Sequence, residues 1–224
     1  MRVALFGGTF DPPHRGHVAL AYLARERLSL DRILVAPVAT QPLKQDMPSA
    51  GFADRVAMTR LAFAHEPATE ISLLDAPRAD GKLNYTIDTL AILRQQLHPN
   101  DSLYCIVGAD SFLTIGKWHR SAELLASCDF IVGARPGFEL TDLKAALPTG
   151  IAATSLPSEL KHTQVFELDG PNGRDSLLYL LADLAIDISA TQLRSALRGE
   201  TDAGRFLDPA VEKFIRNHHL YEHL

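Results

Sequence analysis

Short apolar runs at about 2–7, 32–37, 70–74, 102–108, 128–134 and 164–168 alternate along this chain with segments of helical pattern at about 16–28, 51–65, 85–97, 119–126, 139–146 and 175–183. Apolar runs of that length bounded by turn residues are strands buried on both faces, and strands separated by a helix pair in parallel. Right-handed crossovers then give an α/β fold with an open, Rossmann-like, doubly wound parallel sheet, whose ligands sit at the carboxyl ends of the strands near the switch in strand order. Two more helices, at about 190–198 and 208–217, make a helical C-terminal part spanning about 189–224. No linker interrupts the 224 residues, so one domain over 1–224 is expected.

The residues that follow each strand carry the next step, because they converge on one site in such a sheet. Gly7-Gly8-Thr9-Phe10-Asp11-Pro12-Pro13-His14-Arg15-Gly16-His17 follows the first strand, Pro37 to Lys44 the second, Gly108-Ala109-Asp110-Ser111 the fourth and Gly133-Ala134-Arg135-Pro136-Gly137 the fifth. In the first of these, paired glycines allow a tight turn and a close backbone approach. Gly16 opens a helix, so His17 falls in the first turn, where free N–H groups and the helix dipole favour an anion. His14, three residues earlier, can present its imidazole to the same point. A glycine pair alone also suits an ordinary turn; the two histidines beside a helix start favour a phosphate site.

Composition sets limits. A formal charge of −5 and a pI near 6.0 leave no basic face for general phosphate neutralisation, so nucleic acid is not an expected partner. The longest apolar tract, 177–188, is interrupted by Asp183 and Asp187 and is shorter than the roughly 18 residues of a membrane span. Met1-Arg2 leads directly into a strand without a signal pattern, so a cytoplasmic location is the expectation. Cys105 and Cys128 fall within or beside strands and read as reduced core thiols.

Near the other end, Ser189-Ala190-Thr191-Gln192 matches a helix capping box. Capping leaves Thr191 and Arg194 unexplained. Three residues apart on one helical face, their hydroxyl and guanidinium can reach a common anion. No Walker loop and no Gly-x-Gly-x-x-Gly fingerprint is present. His14-x-x-His17 has no third ligand at a zinc spacing, so no protein metal site is expected. Asp110 suits either a nucleotide contact or a helix cap, and Trp118, the sole tryptophan, either a stacking face or a rim aromatic.

The first loop together with Ile188-Ser189-Ala190-Thr191-x-x-Arg194 resembles the nucleotidyltransferase superfamily related to class I tRNA synthetases, with its His-x-Gly-His loop and Ile-Ser-Ser-Thr-x-x-Arg helix start. Within it the chain is similar to the bacterial nicotinate-nucleotide adenylyltransferase family along nearly its whole length. That likeness rests on Lys44, Arg55-x-x-Met58, Tyr85-Thr86-x-Asp88-Thr89-Leu90, Gly108-Ala109-Asp110, Trp118, Arg135-Pro136-Gly137, Phe214-Ile215 and Leu220-Tyr221. Three positions depart from the family pattern: Leu43 stands where Pro-His-Lys has histidine, Ala190 replaces the second serine of Ser-Ser-Thr, and Asn84 precedes Tyr-Thr in place of serine.

The resemblance implies adenylyl transfer from ATP, with Mg²⁺, to nicotinate mononucleotide, yielding deamido-NAD and pyrophosphate. It implies catalytic roles for His14, His17 and Arg194 and an ATP site formed by Gly8, Thr9, Phe10, His14, His17, Gly108, Asp110, Ile188, Ser189, Thr191 and Arg194. Lys44 and Arg135 would steer the mononucleotide phosphate, Trp118 would stack on the pyridine, and Thr86 would read its carboxylate. Alternatives remain open at this stage: a preference for nicotinamide mononucleotide, a pantetheine-phosphate adenylyltransferase, a cytidylyltransferase, or a nucleotide-sensing module on the same fold. The assembly could be a monomer or a homo-oligomer.

Overall fold

Residue parity along the first strand decides how the molecule is layered. In β1 (Arg2–Gly8) Val3 and Leu5 point to one face of the sheet and Ala4 and Phe6 to the other, and all four are buried. The computed structural model describes residues 1–43, 47–134, 140–170, 176–184, 188, 190–198 and 203–222. Helix α1 (Arg15–Leu28) covers the face of Ala4 and Phe6 with Leu20, Ala21, Ala24 and Leu28. β2 (Arg32–Pro37) leads to α2 (Phe52–Ala62) and then β3 (Thr69–Ile71). Against the face of Val3 and Leu5 pack Leu90 and Leu93 of α3 (Thr86–Gln96). Phe112 of the short α4 (Ala109–Phe112) and Leu124 and Leu125 of α5 (Ser121–Ser127) complete that layer.

The sheet order is β3-β2-β1-β4-β5-β8-β7-β6, where β4 is Ser102–Gly108, β5 Asp129–Gly133, β6 Ala152–Leu156, β7 Thr163–Asp169 and β8 Ser176–Leu181; α6 (Leu140–Ala146) lies between β5 and β6. All pairings from β3 to β8 are parallel, while β7 pairs antiparallel with β8 and β6 antiparallel with β7. The expected doubly wound parallel sheet is thus present, extended at one edge by two strands in antiparallel pairing. The chain reverses there because the connections from β6 to β7 and from β7 to β8 are too short for a crossover helix.

Two corrections have the same origin. The expected helix at 175–183 is β8: Ser-Leu-Leu-Tyr-Leu-Leu has no period that separates a buried strand from a buried helix, and hydrogen-bonded neighbours on both sides select the strand. β6, Ala-Ala-Thr-Ser-Leu, escaped notice as a half-exposed edge strand without an apolar run. The third strand is shorter than expected, Thr69–Ile71 against 70–74. Cys105 and Cys128 are buried and unbridged, as expected of core thiols, and burial pushes the Cys105 thiol well above its ordinary pKa.

After β8 come α7 (Ala190–Leu197), a 3₁₀ turn at Gly204–Phe206 and α8 (Pro209–Asn217), capped by the Asp208 carboxylate on the Ala210 N–H. Leu193, Leu207, Val211, Ile215 and Tyr221 share a buried cluster with Ala50 and Met58, which fixes this C-terminal part against α2 and the segment before it. Among the described residues, no helix is long and apolar enough to cross a membrane.

Candidate active site

Phe6 pairs with Ile106, so the chain leaves β1 at Gly8 and β4 at Gly108 side by side. Because β1 neighbours β2 on one flank and β4 on the other, this is the switch in strand order, and a crevice opens where the two connections part.

The first wall is the loop from Gly8 to His14. Phe10 adopts a left-handed backbone, φ 49°, and turns its ring over Gly8: a Cβ on Gly8 would lie 2.9 Å from that ring. Here the glycine makes room for Phe10. The ring is 1% exposed and packs edge-to-face on Phe6, Phe63 and His17, with 4.9 Å between the Phe10 and His17 centroids. Phe10 is therefore a packing support for the histidine, with only its backbone left for a ligand.

Helix α1 begins at Arg15, capped by His14 in extended conformation, and its first turn holds no acidic residue. The first-turn residues themselves set no carboxylate against its N-terminal N–H groups and positive dipole end. The His14 N–H donates to His17 Nδ1 at 3.2 Å. An Nδ1 that accepts places the proton of a neutral imidazole on Nε2, so His17 is held as an Nε2–H donor. The two imidazoles stack with centroids 3.8 Å apart and planes 29° from parallel, His14 buried and His17 half-buried.

The second wall is α7. Arg194 Nη1 donates to the Asp11 carbonyl at 2.7 Å, and Arg194 Nη2 donates to Thr191 Oγ1 at 3.3 Å. The pair expected on one helical face is thus in contact, and Arg194 joins α7 to the first loop. Thr191 is exposed, whereas Ile188 is buried in the C-terminal cluster. Ser189 lies outside the described residues.

On the β4 side Gly108 precedes α4, and a Cβ there would meet nothing within 4 Å. Packing does not demand that glycine. Asp110 is exposed in the first turn of α4. Farther along, Thr86 begins α3, and the preceding Tyr85 stacks on His119 with centroids 4.1 Å apart. That stack brings the Tyr85-Thr86 helix start to the segment holding Trp118, whose Nε1 donates to Thr114 Oγ1 at 3.0 Å. Trp118 is half-buried, one edge packed on the core. Asn84 does not cap α3; its Nδ2 donates to the Ala76 carbonyl at 2.8 Å. Lys44 and Arg135 lie outside the described residues.

Three residues that the sequence reading left without a role hold these walls together. Asp11, 3% exposed, accepts from the Ser49 N–H at 2.7 Å, the Ala50 N–H at 3.1 Å and the Tyr221 hydroxyl at 2.8 Å. Its Oδ2 lies 3.9 Å from Arg194 Nη1. Arg55, 1% exposed, donates to the carbonyls of Thr9, Val38, Ala39 and Ala50. Burial pulls its pKa below the usual guanidinium value, with Asp11 opposing the fall. The spacing of Arg55 and Met58 placed both on one face of α2, but nothing local in the sequence shows that this face is the buried one.

A family model described as cytidylyltransferase-like matches residues 5–196. A relative from Pelobacter propionicus named probable nicotinate-nucleotide adenylyltransferase is 37% identical over 222 residues, covering 99% of this chain and 98% of the relative. One of the same name from Geobacter sulfurreducens is 36% identical, covering 100% and 99%. The chain belongs to the nicotinate-nucleotide adenylyltransferase family of cytidylyltransferase-like proteins. Its fold matches that of Plasmodium falciparum nicotinic acid mononucleotide adenylyltransferase, solved complexed with NaAD and with APC: TM-score 0.68 in both cases, 20% and 19% identity, covering 99% of this chain and 97% of the other.

Proposed function

We propose that this chain transfers the adenylyl group of ATP to nicotinate mononucleotide, releasing pyrophosphate and forming deamido-NAD. The observation that carries the reading is the paired arrangement of a stacked His14–His17 helix start and the Thr191–Arg194 pair, tied together through Asp11.

A phosphate monoester is already a competent nucleophile, so no covalent intermediate on the protein is needed, and positioning plus charge stabilisation supply the acceleration. An oxygen of the mononucleotide 5′-phosphate bonds to the α-phosphorus while the bond from that phosphorus to the α–β bridging oxygen breaks. His17 Nε2–H donates to the α-phosphoryl oxygen where charge builds, and the α1 N–H groups add to it. His14 and the Phe10 ring hold that imidazole in its plane. Arg194 and Thr191 take the β- and γ-phosphates that depart as pyrophosphate.

The open space at Gly108 admits the nucleoside close to the backbone, with Asp110 at its edge and the backbone of Gly8, Thr9 and Phe10 opposite. Ile188 supports α7 from the core. On the acceptor side Trp118 stacks on the pyridine, Thr86 at the α3 helix start receives the carboxylate, and Lys44 and Arg135 receive the phosphate. Mg²⁺ enters on the ATP phosphates as part of the substrate; among the described residues, no three histidine, cysteine or acidic side chains are grouped to hold an ion. Residues 1–224 act as one domain in this scheme.

The test is product formation. With ATP, Mg²⁺ and nicotinate mononucleotide the protein should form pyrophosphate and deamido dinucleotide in equal amounts, with a lower kcat/KM for nicotinamide mononucleotide. ATP hydrolysis without dinucleotide would overturn the reading.

A further inference from the structure

The C-terminal turn reaches across the whole chain to the first loop. Beyond α8, His219 and Tyr221 both take left-handed backbone conformations, φ 51° and 72°, which non-glycine residues adopt only where surrounding contacts over-determine them. At Tyr221 the contact is the hydrogen bond from its hydroxyl to Asp11 Oδ1, a pair 210 positions apart in sequence. The ring is 5% exposed and packs in the cluster of Leu193, Val211 and Ile215. Burial, followed by the neighbouring Asp11 charge, pushes the phenol far above its ordinary pKa, so it stays a donor.

Asp11 is the meeting point. Its carboxylate is almost wholly buried and serves donors from three parts of the chain: Ser49 and Ala50 before α2, Tyr221 after α8, and, at 3.9 Å, Arg194 of α7. Its own backbone carbonyl accepts Arg194 Nη1. If the Asp11 carboxylate turns, it gives up the Ser49 and Ala50 N–H groups and the nearby Arg194 guanidinium, and with them part of what holds the first loop against α7. A buried carboxylate that loses a donor must reorient or admit water.

We infer that Tyr221 is a positioning residue for the nucleotide site: through Asp11 it sets the first loop and Arg194 in the one relative arrangement that accepts the triphosphate. This rests on the reading of that crevice as the ATP site. Among the described residues, the α3 start at Thr86 and the Trp118 segment make no direct bond to Asp11, Tyr221 or Arg194. A change at Tyr221 is therefore transmitted more directly to the ATP side than to the acceptor side.

The experiment uses full-length Tyr221→Phe, which keeps the ring and removes only the hydroxyl, with Asp11→Asn as a second variant and the two combined. Steady-state kinetics and the Kd for Mg·ATP are measured for each. Expected in Tyr221→Phe is a rise of about five- to tenfold in the KM and Kd for ATP, the scale of one hydrogen bond's net contribution. The KM for nicotinate mononucleotide should stay within about twofold, inside the scatter of a site with no shared partner. The double variant should be no worse than Asp11→Asn alone. Unchanged ATP constants in Tyr221→Phe, or equal rises for both substrates, overturn the inference. A wild-type protein that binds ATP yet makes no dinucleotide overturns the proposed reaction instead, and the ATP affinities still decide the role of Tyr221.

Discussion

Replacing Arg55 by methionine removes the charge and four side-chain hydrogen bonds while filling much of the same volume. Those bonds run to Thr9 and Val38 at 2.7 Å, Ala39 at 3.0 Å and Ala50 at 3.2 Å. Bonds from a charged donor are worth about 1.5–3 kcal/mol each when buried, but three of these carbonyls, on Thr9, Val38 and Ala39, belong to partly exposed residues that can recruit water, so an average of about 1 kcal/mol each is the better figure. The sum, about 4 kcal/mol, falls within the roughly 3–5 kcal/mol that breaking a buried charged group's pairing costs. It is a large part of the roughly 5–15 kcal/mol that holds a typical protein folded. At about 2–4 °C per kcal/mol for a chain of this size, Arg55→Met should lower Tm by about 8–16 °C. Arg55→Lys keeps the charge but replaces a planar fork by a compact ammonium that cannot span four separate carbonyls, so it should recover less than half of the loss. Calorimetric melts at pH 7 check both. A methionine variant within about 2 °C of wild type, or a lysine variant equal to wild type, would refute the reasoning, because no more than about 1 kcal/mol would then rest on the fork.

Two other perturbations separate the parts of the account. Trp118→Ala should raise the KM for the mononucleotide by about tenfold or more, as for loss of a stacking face, and leave that for ATP nearly unchanged; equal effects on both would place the ring outside the acceptor site. Asp75, 4% exposed, accepts from Thr89 Oγ1, and burial raises its pKa with that bond partly opposing the rise. A carboxyl whose folded pKa lies above its unfolded one favours folding when protonated, and that contribution is lost as pH rises through the folded value. Asp75→Asn should therefore melt about 1–2 °C above wild type at pH 7, with the gap closing as pH falls through the carboxylate range, and a lower Tm at pH 7 would contradict the sign.

The sequence made the local features legible and the long-range ones not. β1, β2, β4 and β5 declared themselves because each is an apolar run closed by a glycine or proline, and the helix starts at Arg15 and Ala190 because glycine, histidine and hydroxyl residues mark them within a few positions. β8 did not, since Ser-Leu-Leu-Tyr-Leu-Leu becomes a strand through pairing partners far away in sequence. The candidate site divides the same way. His14, His17, Thr191 and Arg194 form two short motifs whose internal spacing predicts contact, and the structure brings each pair together. Asp11, Arg55 and Tyr221 are joined by burial and by bonds spanning up to 210 positions, for which no periodicity in one chain gives a sign. The glycine pair suggests a backbone that approaches a ligand closely; the group that lies over Gly8 in the structure is the ring of Phe10.

The central claim is that the Nε2–H of His17, set by the His14 backbone N–H on Nδ1, stabilises the α-phosphoryl group as the new bond forms. Its most direct test is the single-turnover rate of adenylyl transfer in His17→Ala, measured beside the Kd for Mg·ATP. The account predicts a fall in rate of about 10²–10³, as for loss of one transition-state donor, with ATP affinity still measurable. A His17→Ala protein that transfers the adenylyl group at near wild-type rate would contradict it.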